Sequence, residues 1–486
     1  MTTMRLIAVS LLLCTAACAP VKPWERGVLA EPAMQPSADP MDDYVNEHVF
    51  FSKEAATGGR GVGGAAVAAI SARLRRAVCG LLRRPRPGAW LLSGCALAPA
   101  AGAEAIDNEW VFDAAFLSYK EADDRVAVEK FVIDVAGNLS ERDNVDLKVV
   151  FDTMTGATPT GAVETSNVVS VTGTSGAGGF TAGGQATALA PFEDNRLAVN
   201  VAWTREHSRR WRSQFGASVS VESDYTSMGG SYTWLLDTAD KLHTFSLGLG
   251  FAHDQISQTG GQTPAPLSDV NDQRFLERGE RNTFEFLAGL TSVLGKRTVW
   301  VNNLWWNGSD GYHSDPYKVV SVANSDDVEF VRLYEKRPEK RRRKVFYSEL
   351  IQRFGQAQTM HLSYRYYTDD WAVESHTMEL TYRFGLARGQ YVEPLLRVYR
   401  QSAADFFVRS IPVADYQAGR LPDYASADNR LDDVQGGAVG IKFGKPVGEN
   451  GEVRFRLMGI GWQAENAVID QTRAVLLQMS FRKGFF

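Results

Sequence analysis

The chain has 486 residues, 44% of them hydrophobic and 22% charged, with a formal charge of −5 at pH 7. That length allows two domains or one large barrel behind a leader, and the acidic balance excludes a general nucleic-acid binder, which would be basic. The four cysteines, Cys14, Cys18, Cys79 and Cys95, all precede the patterned body, so neither a disulfide framework nor a zinc site supports that body.

The first element is a leader. Arg5 is followed by the apolar run Leu6 to Leu13 and by Thr15, Ala16, Ala17 and Cys18, the order of a secretory signal over 1–18 that ends on a lipoprotein-type cysteine. Cys18 is therefore the candidate lipidation site; an ordinary signal peptide cut near the same place is the alternative. Residues 19–64 are rich in Pro, Gly and charge and poor in periodic apolar residues, so they are expected to be disordered and to pack no core of their own. Gly59, Gly61 and Gly64 fit a dinucleotide-binding spacing, but no strand precedes them, and they read as flexible linker.

A second leader-like pattern lies within 65–103. Arg73, Arg75, Arg76, Arg83, Arg84 and Arg86 precede the apolar stretch Ala89 to Ala98 and the small residues Ala101, Gly102 and Ala103. This is again the order of a signal peptide, with a cut after Ala103, and the apolar part is too short for a membrane helix, which needs roughly 20 residues. Two leaders point to two secreted products joined head to tail, either by a genuine fusion or by a reading-frame slip near Gly64.

From 104 to 486 the pattern has a period of two. Phe245, Leu247, Leu249 and Phe251 alternate with Thr244, Ser246, Gly248 and Gly250; Met378, Leu380, Tyr382 and Phe384 alternate with Thr377, Glu379, Thr381 and Arg383. A strand points successive side chains to opposite faces. Many such stretches predict an all-β, antiparallel transmembrane β-barrel, apolar toward lipid and polar toward the lumen, with a mostly disordered N-terminal leader region. About sixteen strands (14–16) are predicted. The mean hydropathy of −0.22 is compatible, because only half of each strand touches lipid.

Long connections are predicted near 153–195, 253–280, 307–341 and 402–434, after strands three, seven, nine and thirteen. They share one side, as the outer loops of bacterial barrels do, and the connections after even strands are short. The last strand carries Val475, Leu477, Met479 and Phe481 on one face and the chain closes on Phe485-Phe486, an aromatic ending of the kind the outer-membrane assembly machinery reads. Trp203, Trp211, Trp234, Trp300, Trp305 and Trp371 are expected in interfacial girdles.

Several phrases carry a family resemblance. Gly311-Tyr312-His313-Ser314-Asp315-Pro316-Tyr317-Lys318, Tyr334-Glu335-Lys336-Arg337-Pro338, Tyr364-Arg365-Tyr366-Tyr367 with Asp370-Trp371, Ser375-His376-Thr377, Gln401 through Phe407, and Ser223-Asp224-Tyr225 resemble the DUF3570 family over most of 108–486. Pro23 to Gly27 and Phe50 to Gly64 resemble DUF4266, a family of small bacterial lipoproteins, with a departure at Ala65 where a Gly- and Cys-rich tail would follow. The first resemblance implies an outer-membrane β-barrel with no assigned activity, in a Gram-negative type of envelope. The second implies a small lipoprotein partner, because members of the two families look to be encoded side by side.

Candidate functional residues are few. His361, Ser363 and Arg365 on one strand, and Glu379, Thr381 and Arg383 on the next across a tight hairpin, are the candidate lumen lining, either a charge ladder that stiffens the barrel or a selectivity lining. A basic run with Arg332, Lys336, Arg337, Lys340, Arg341, Arg342, Arg343 and Lys344 is a candidate basic rim. No Gly-x-Ser-x-Gly elbow occurs, and the seven histidines lack metal-ligand spacing, so no catalytic residue, metal or cofactor is assigned. His313 with Asp315 and His376 with Glu374 are the pairs that an enzyme would use. The functions open at this point are a channel for small solutes or ions in contact with outer-membrane lipid, a scaffold that assembles with a small lipoprotein, and, third, a barrel hydrolase; nucleic acid is not an expected partner.

Overall fold

The computed structural model describes residues 21–60 and 110–485, apart from 23–24, 57, 124, 164, 173–178, 185–187, 259–260 and 273. Cys18 and the second leader-like segment lie outside the described residues.

Sixteen strands close into one antiparallel barrel. They are β1 Trp110–Glu121, β2 Ala127–Ser140, β3 Asp143–Pro159, β4 Leu189–Ser208, β5 Trp211–Val221, β6 Tyr225–Asp237, β7 His243–Ile256, β8 Gly279–Gly295, β9 Thr298–Gly311, β10 Lys340–Phe354, β11 Gln358–Asp369, β12 Glu374–Gly385, β13 Tyr391–Gln401, β14 Val434–Val447, β15 Gly451–Ala464 and β16 Gln471–Phe485. Every strand pairs with its sequence neighbour, and β1 closes on β16 in a register that sets Ala114 opposite Phe481. Closure leaves no stave with an open edge in the hydrocarbon, where unpaired backbone groups would cost several kcal/mol each.

The alternation decides which way each side chain points. Phe245, Leu247, Leu249 and Phe251 are exposed on the outside, as are Val475, Leu477, Met479 and Phe481, whereas Thr472, Ala474, Leu476, Gln478 and Ser480 are buried inside. Connections after even strands, at 141–142, 209–210, 238–242, 296–297, 355–357, 386–390 and 448–450, are tight. Those at 160–188, 257–278, 312–339 and 402–433 are long, and all follow odd strands. The predicted strand number and the one-sided placement of the long loops both match this arrangement.

The long loops are themselves folded. Val319–Ala323 pairs antiparallel with Glu329–Tyr334 and parallel with Ile411–Pro412, over an apolar cluster of Val320, Val322, Leu333, Ile411, Ala425 and Ala427. This cap sits at the long-loop end. Nearer the barrel, Ala404, Phe406 and Leu431 join Trp371, Val373 and Tyr399 in one buried cluster.

Residues 21–60 overturn an expectation. They were expected to be disordered, yet a helix, α1, spans Pro40–Phe51 and is held inside the barrel. Pro40 at the first position and Asp42 and Asp43 in the first turn suit a helix start. The segment builds no core of its own. It packs on the barrel's inner wall, and its high charge is the counterpart of a charged lumen.

Candidate functional site

The N-terminal segment can be followed through the lumen by its partners. Near the short-turn end, Arg26 donates to the Asp240 carbonyl at 2.7 Å and Glu25 pairs with Lys296 at 2.6 Å. Glu31 then meets Arg353 at 2.8 Å, and Leu29 and Met34 are buried against Val299, Val301 and Ile351 of β9 and β10. The Ala33 carbonyl lies 2.8 Å from His361 Nε2, whose other ring nitrogen is 2.8 Å from Glu349.

Helix α1 climbs the β13–β16 wall. Asp42, Asn46 and Phe50 recur every four residues, so they share one face. Asp42 pairs with Lys442 at 2.7 Å and accepts from Gln478 at 2.8 Å. Asn46 accepts from Arg456 at 2.7 Å. Phe50 packs edge-on to Trp462, with the Arg397 guanidinium 3.7 Å from its ring centroid. On the other side Met41 is buried among Ala115, Val132, Val150 and Ala198 of β1 to β4, where small inward side chains leave it room. Just before the helix, Asp39 lies 3.0 Å from Arg454 and 3.4 Å from Lys442.

Toward the long-loop end Lys53 pairs with Glu121, and Glu54 takes two bonds from Arg397, at 2.6 and 2.8 Å, and one from Trp462 Nε1 at 3.2 Å. The chain then turns back. Arg341 and Arg365 donate to the carbonyls of Ala55 and Ala56, Asn303 donates to those of Gly59 and Arg60, and Arg60 reaches Asp43 at 2.7 Å and Glu379 at 3.3 Å. Gly58 and Gly59 have φ of +100° and +101°, and a Cβ on either would fall within 2.8 Å of Trp305 or 2.6 Å of Val345. Only glycine allows that approach without strain. Between segment and wall remains a cavity of about 70 Å³ bordered by Asp42, Lys442, Arg456 and His361, room for a few waters.

The six residues of the candidate lining all face the lumen. His361, Ser363, Glu379 and Thr381 border the cavity, Arg365 holds the Ala56 carbonyl, and Arg383 pairs with Glu393 at 2.6 Å. Ser363 stands directly opposite Glu379 across the β11–β12 hairpin.

The basic run is not one rim. Strand alternation in β10 exposes Lys340 and Arg342 and turns Arg341 and Arg343 inward, where Arg341 pairs with Asp369 and stacks 4.1 Å from the Trp371 ring. Arg337 is partly buried in the cap between Glu335 and Asp428, and Arg332 is buried against Glu329. Two tryptophans also depart from the girdle. Trp305 points into the lumen beneath Gly58, and Trp371 is itself buried in the turn between β11 and β12, while Trp203, Trp211 and Trp234 are exposed on the outside near the short-turn end.

Neither histidine–carboxylate pair forms. His313 is bonded to Ser309 and to the Gly311 carbonyl, while Asp315 meets Arg430. His376 faces the Tyr364 hydroxyl at 2.7 Å on the outside. Asp194, Glu222 and Asp224 bring carboxylates within 4.8 Å of one another, residue types that could hold a cation; burial pushes Glu222 up to about 7. Sequence reading missed four of the wall cations that grip the segment, Arg397, Lys442, Arg454 and Arg456. Their signal was there, since all four occupy inward positions of adjacent strands.

The family model described as protein of unknown function (DUF3570) matches residues 79–479. The chain belongs to this family. A second model, domain of unknown function (DUF4266), matches residues 21–65, and the described residues of that stretch, within 21–60, are the ones that run through the barrel. No curated protein matches the chain. Among solved structures, OccK10 (OpdN) of Pseudomonas aeruginosa is similar at 11% identity and TM-score 0.37, covering 78% of this chain and 100% of its own. OccAB1 of Acinetobacter baumannii is similar at 8% and 0.31, covering 78% and 96%, and the CymD monoaromatic hydrocarbon channel at 8% and 0.33, covering 78% and 88%.

Proposed function

We propose that this DUF3570 protein is an outer-membrane channel held shut by its own N-terminal segment. One observation carries the reading: Asp39, α1 and the residues that follow it through Glu54 occupy the lumen and are bound there by buried ion pairs to β13–β15. A sixteen-strand barrel is otherwise wide enough for an aqueous path. The outward apolar belt supports lipid as the surroundings of the staves, and insertion would be the work of the outer-membrane assembly machinery in a Gram-negative type of envelope. Lipidation at Cys18 fits the same reading. Arg26 ties Val21, three positions after Cys18 in sequence, to the short-turn end.

The test is conductance of the purified full chain in a planar bilayer. Wild type should stay closed at low voltage, and a chain with Asp39→Asn, Asp42→Asn and Glu54→Gln should open. A second reading, a sealed scaffold that houses the lipoprotein-like segment, is favoured by the separate family match of residues 21–65. A barrel that never conducts, in either form, would select it.

A further inference from the structure

We infer that the inner wall of β11–β15 is a binding site for small carboxylate solutes, and that the N-terminal segment closes the barrel by presenting carboxylates of its own to that site. The inference rests on the channel reading. Six cations lie along this wall in two ion-pair networks: Arg365 and Arg397 in one, and Arg383, Lys442, Arg454 and Arg456 in the other, which reaches β1. They share three wall carboxylates, Asp113, Glu379 and Glu393. The remaining partners come from the segment: Asp39 on Lys442 and Arg454, Asp42 on Lys442 and Arg456, and Glu54 on Arg397 and Arg365. Among the described residues, Arg365 and Arg456 have carboxylate partners only in the segment.

The geometry is that of carboxylate recognition. Arg397 grips Glu54 through two nitrogens, at 2.6 and 2.8 Å, the planar fork that suits a carboxylate. Trp462 adds an N–H, and Gln478 supplies a neutral donor beside Lys442. These donors sit on rigid neighbouring staves, so withdrawal of the segment leaves them in place. A buried cation without its anion is costly, and an entering anion would restore the balance. The cations lie at successive levels of the wall, so a carboxylate would pass from one to the next.

The test uses the full chain carrying Asp39→Asn, Asp42→Asn and Glu54→Gln, in a planar bilayer with a potassium chloride gradient. Expected are openings whose reversal potential lies toward that of chloride, and block of the chloride current by citrate. Adding Lys442→Gln and Arg456→Gln should move the reversal potential toward zero and weaken citrate block by about tenfold, the scale of a lost charge-assisted bond. Openings that favour potassium, or citrate block unchanged by those two substitutions, would overturn the carboxylate site and leave the shut-channel reading standing. Absence of openings at every voltage would overturn both.

Discussion

Glu54 and Arg397 are 343 positions apart in sequence and meet in a two-bond grip at 2.6 and 2.8 Å in the barrel's interior. Glu54 belongs to the N-terminal segment and finds its cations on the barrel wall, while Arg397, on stave β13, has only the 3.9 Å contact to Glu379 among wall carboxylates of the described residues. A buried ion pair repays little more than its desolvation cost, but removing one partner leaves a stranded charge. The pair therefore fixes where the segment sits more than it adds to stability.

Arg397→Met should loosen the segment by about 3–5 kcal/mol, leaving Glu54 with Trp462 and the longer contact to Arg365. The double variant Glu54→Gln, Arg397→Met should recover much of the loss. Trypsin cleavage at Lys53, which is mostly buried beside Glu121, reads the difference. Equal cleavage rates in wild type and the single variant would refute the grip.

Gly59→Ala tests the close approach. A Cβ there would lie 2.6 Å from Val345 at a φ of +101°, so overpacking of about 1–3 kcal/mol adds to the backbone cost. Gly261, at φ +81° with nothing within 4 Å, provides the comparison, since its alanine variant should carry only about 1–2 kcal/mol of left-handed strain. Faster cleavage at Lys53 in Gly59→Ala and unchanged cleavage in Gly261→Ala is the expected outcome.

His313 gives the long-loop end a pH dependence. Burial, with the cations Arg281, Arg343 and Arg341 nearby, holds its pKa down at about 3. The unfolded chain takes up a proton near pH 6.5 and the folded cap does not, so stability is lost as pH falls from 6.5 toward 3 and is unaffected above. At pH 5 the loss is about 2 kcal/mol. Measured against the intrinsic exchange rate at each pH, hydrogen-exchange protection of residues 312–339 should fall between pH 7 and pH 5, and His313→Asn should flatten that response.

Much of this architecture is legible in sequence because strand alternation is a local signal. Phe245 to Phe251 and Val475 to Phe481 announce their lipid face without any knowledge of their neighbours, and long loops after odd strands follow from counting. The lumen's occupant is not local. Asp42 makes sense only beside Lys442, 400 positions away, and a segment that packs on a polar wall lacks the apolar period that marks a core helix. The run 340–344 misled for the opposite reason: read as a charge cluster it is a rim, but read at period two it divides between both faces of β10. Trp305 likewise shares the inward parity of Asn303 and Asn307, a better guide to its place than its residue type.

The direction of the oily faces can be tested by depth. Leu249 lies mid-strand in β7 with 58% of its surface exposed, and Leu139, at 55%, lies beside the short turn that ends β2. Their exposures are nearly equal, so water around the barrel would make arginine equally mild at both. Lipid would not. Leu249→Arg should destabilise the barrel by about 2–4 kcal/mol and Leu139→Arg by about 0–1, measured by denaturant unfolding in vesicles with heat-modifiable gel mobility as the readout. Equal effects at the two positions would remove the hydrocarbon belt, and the membrane channel with it.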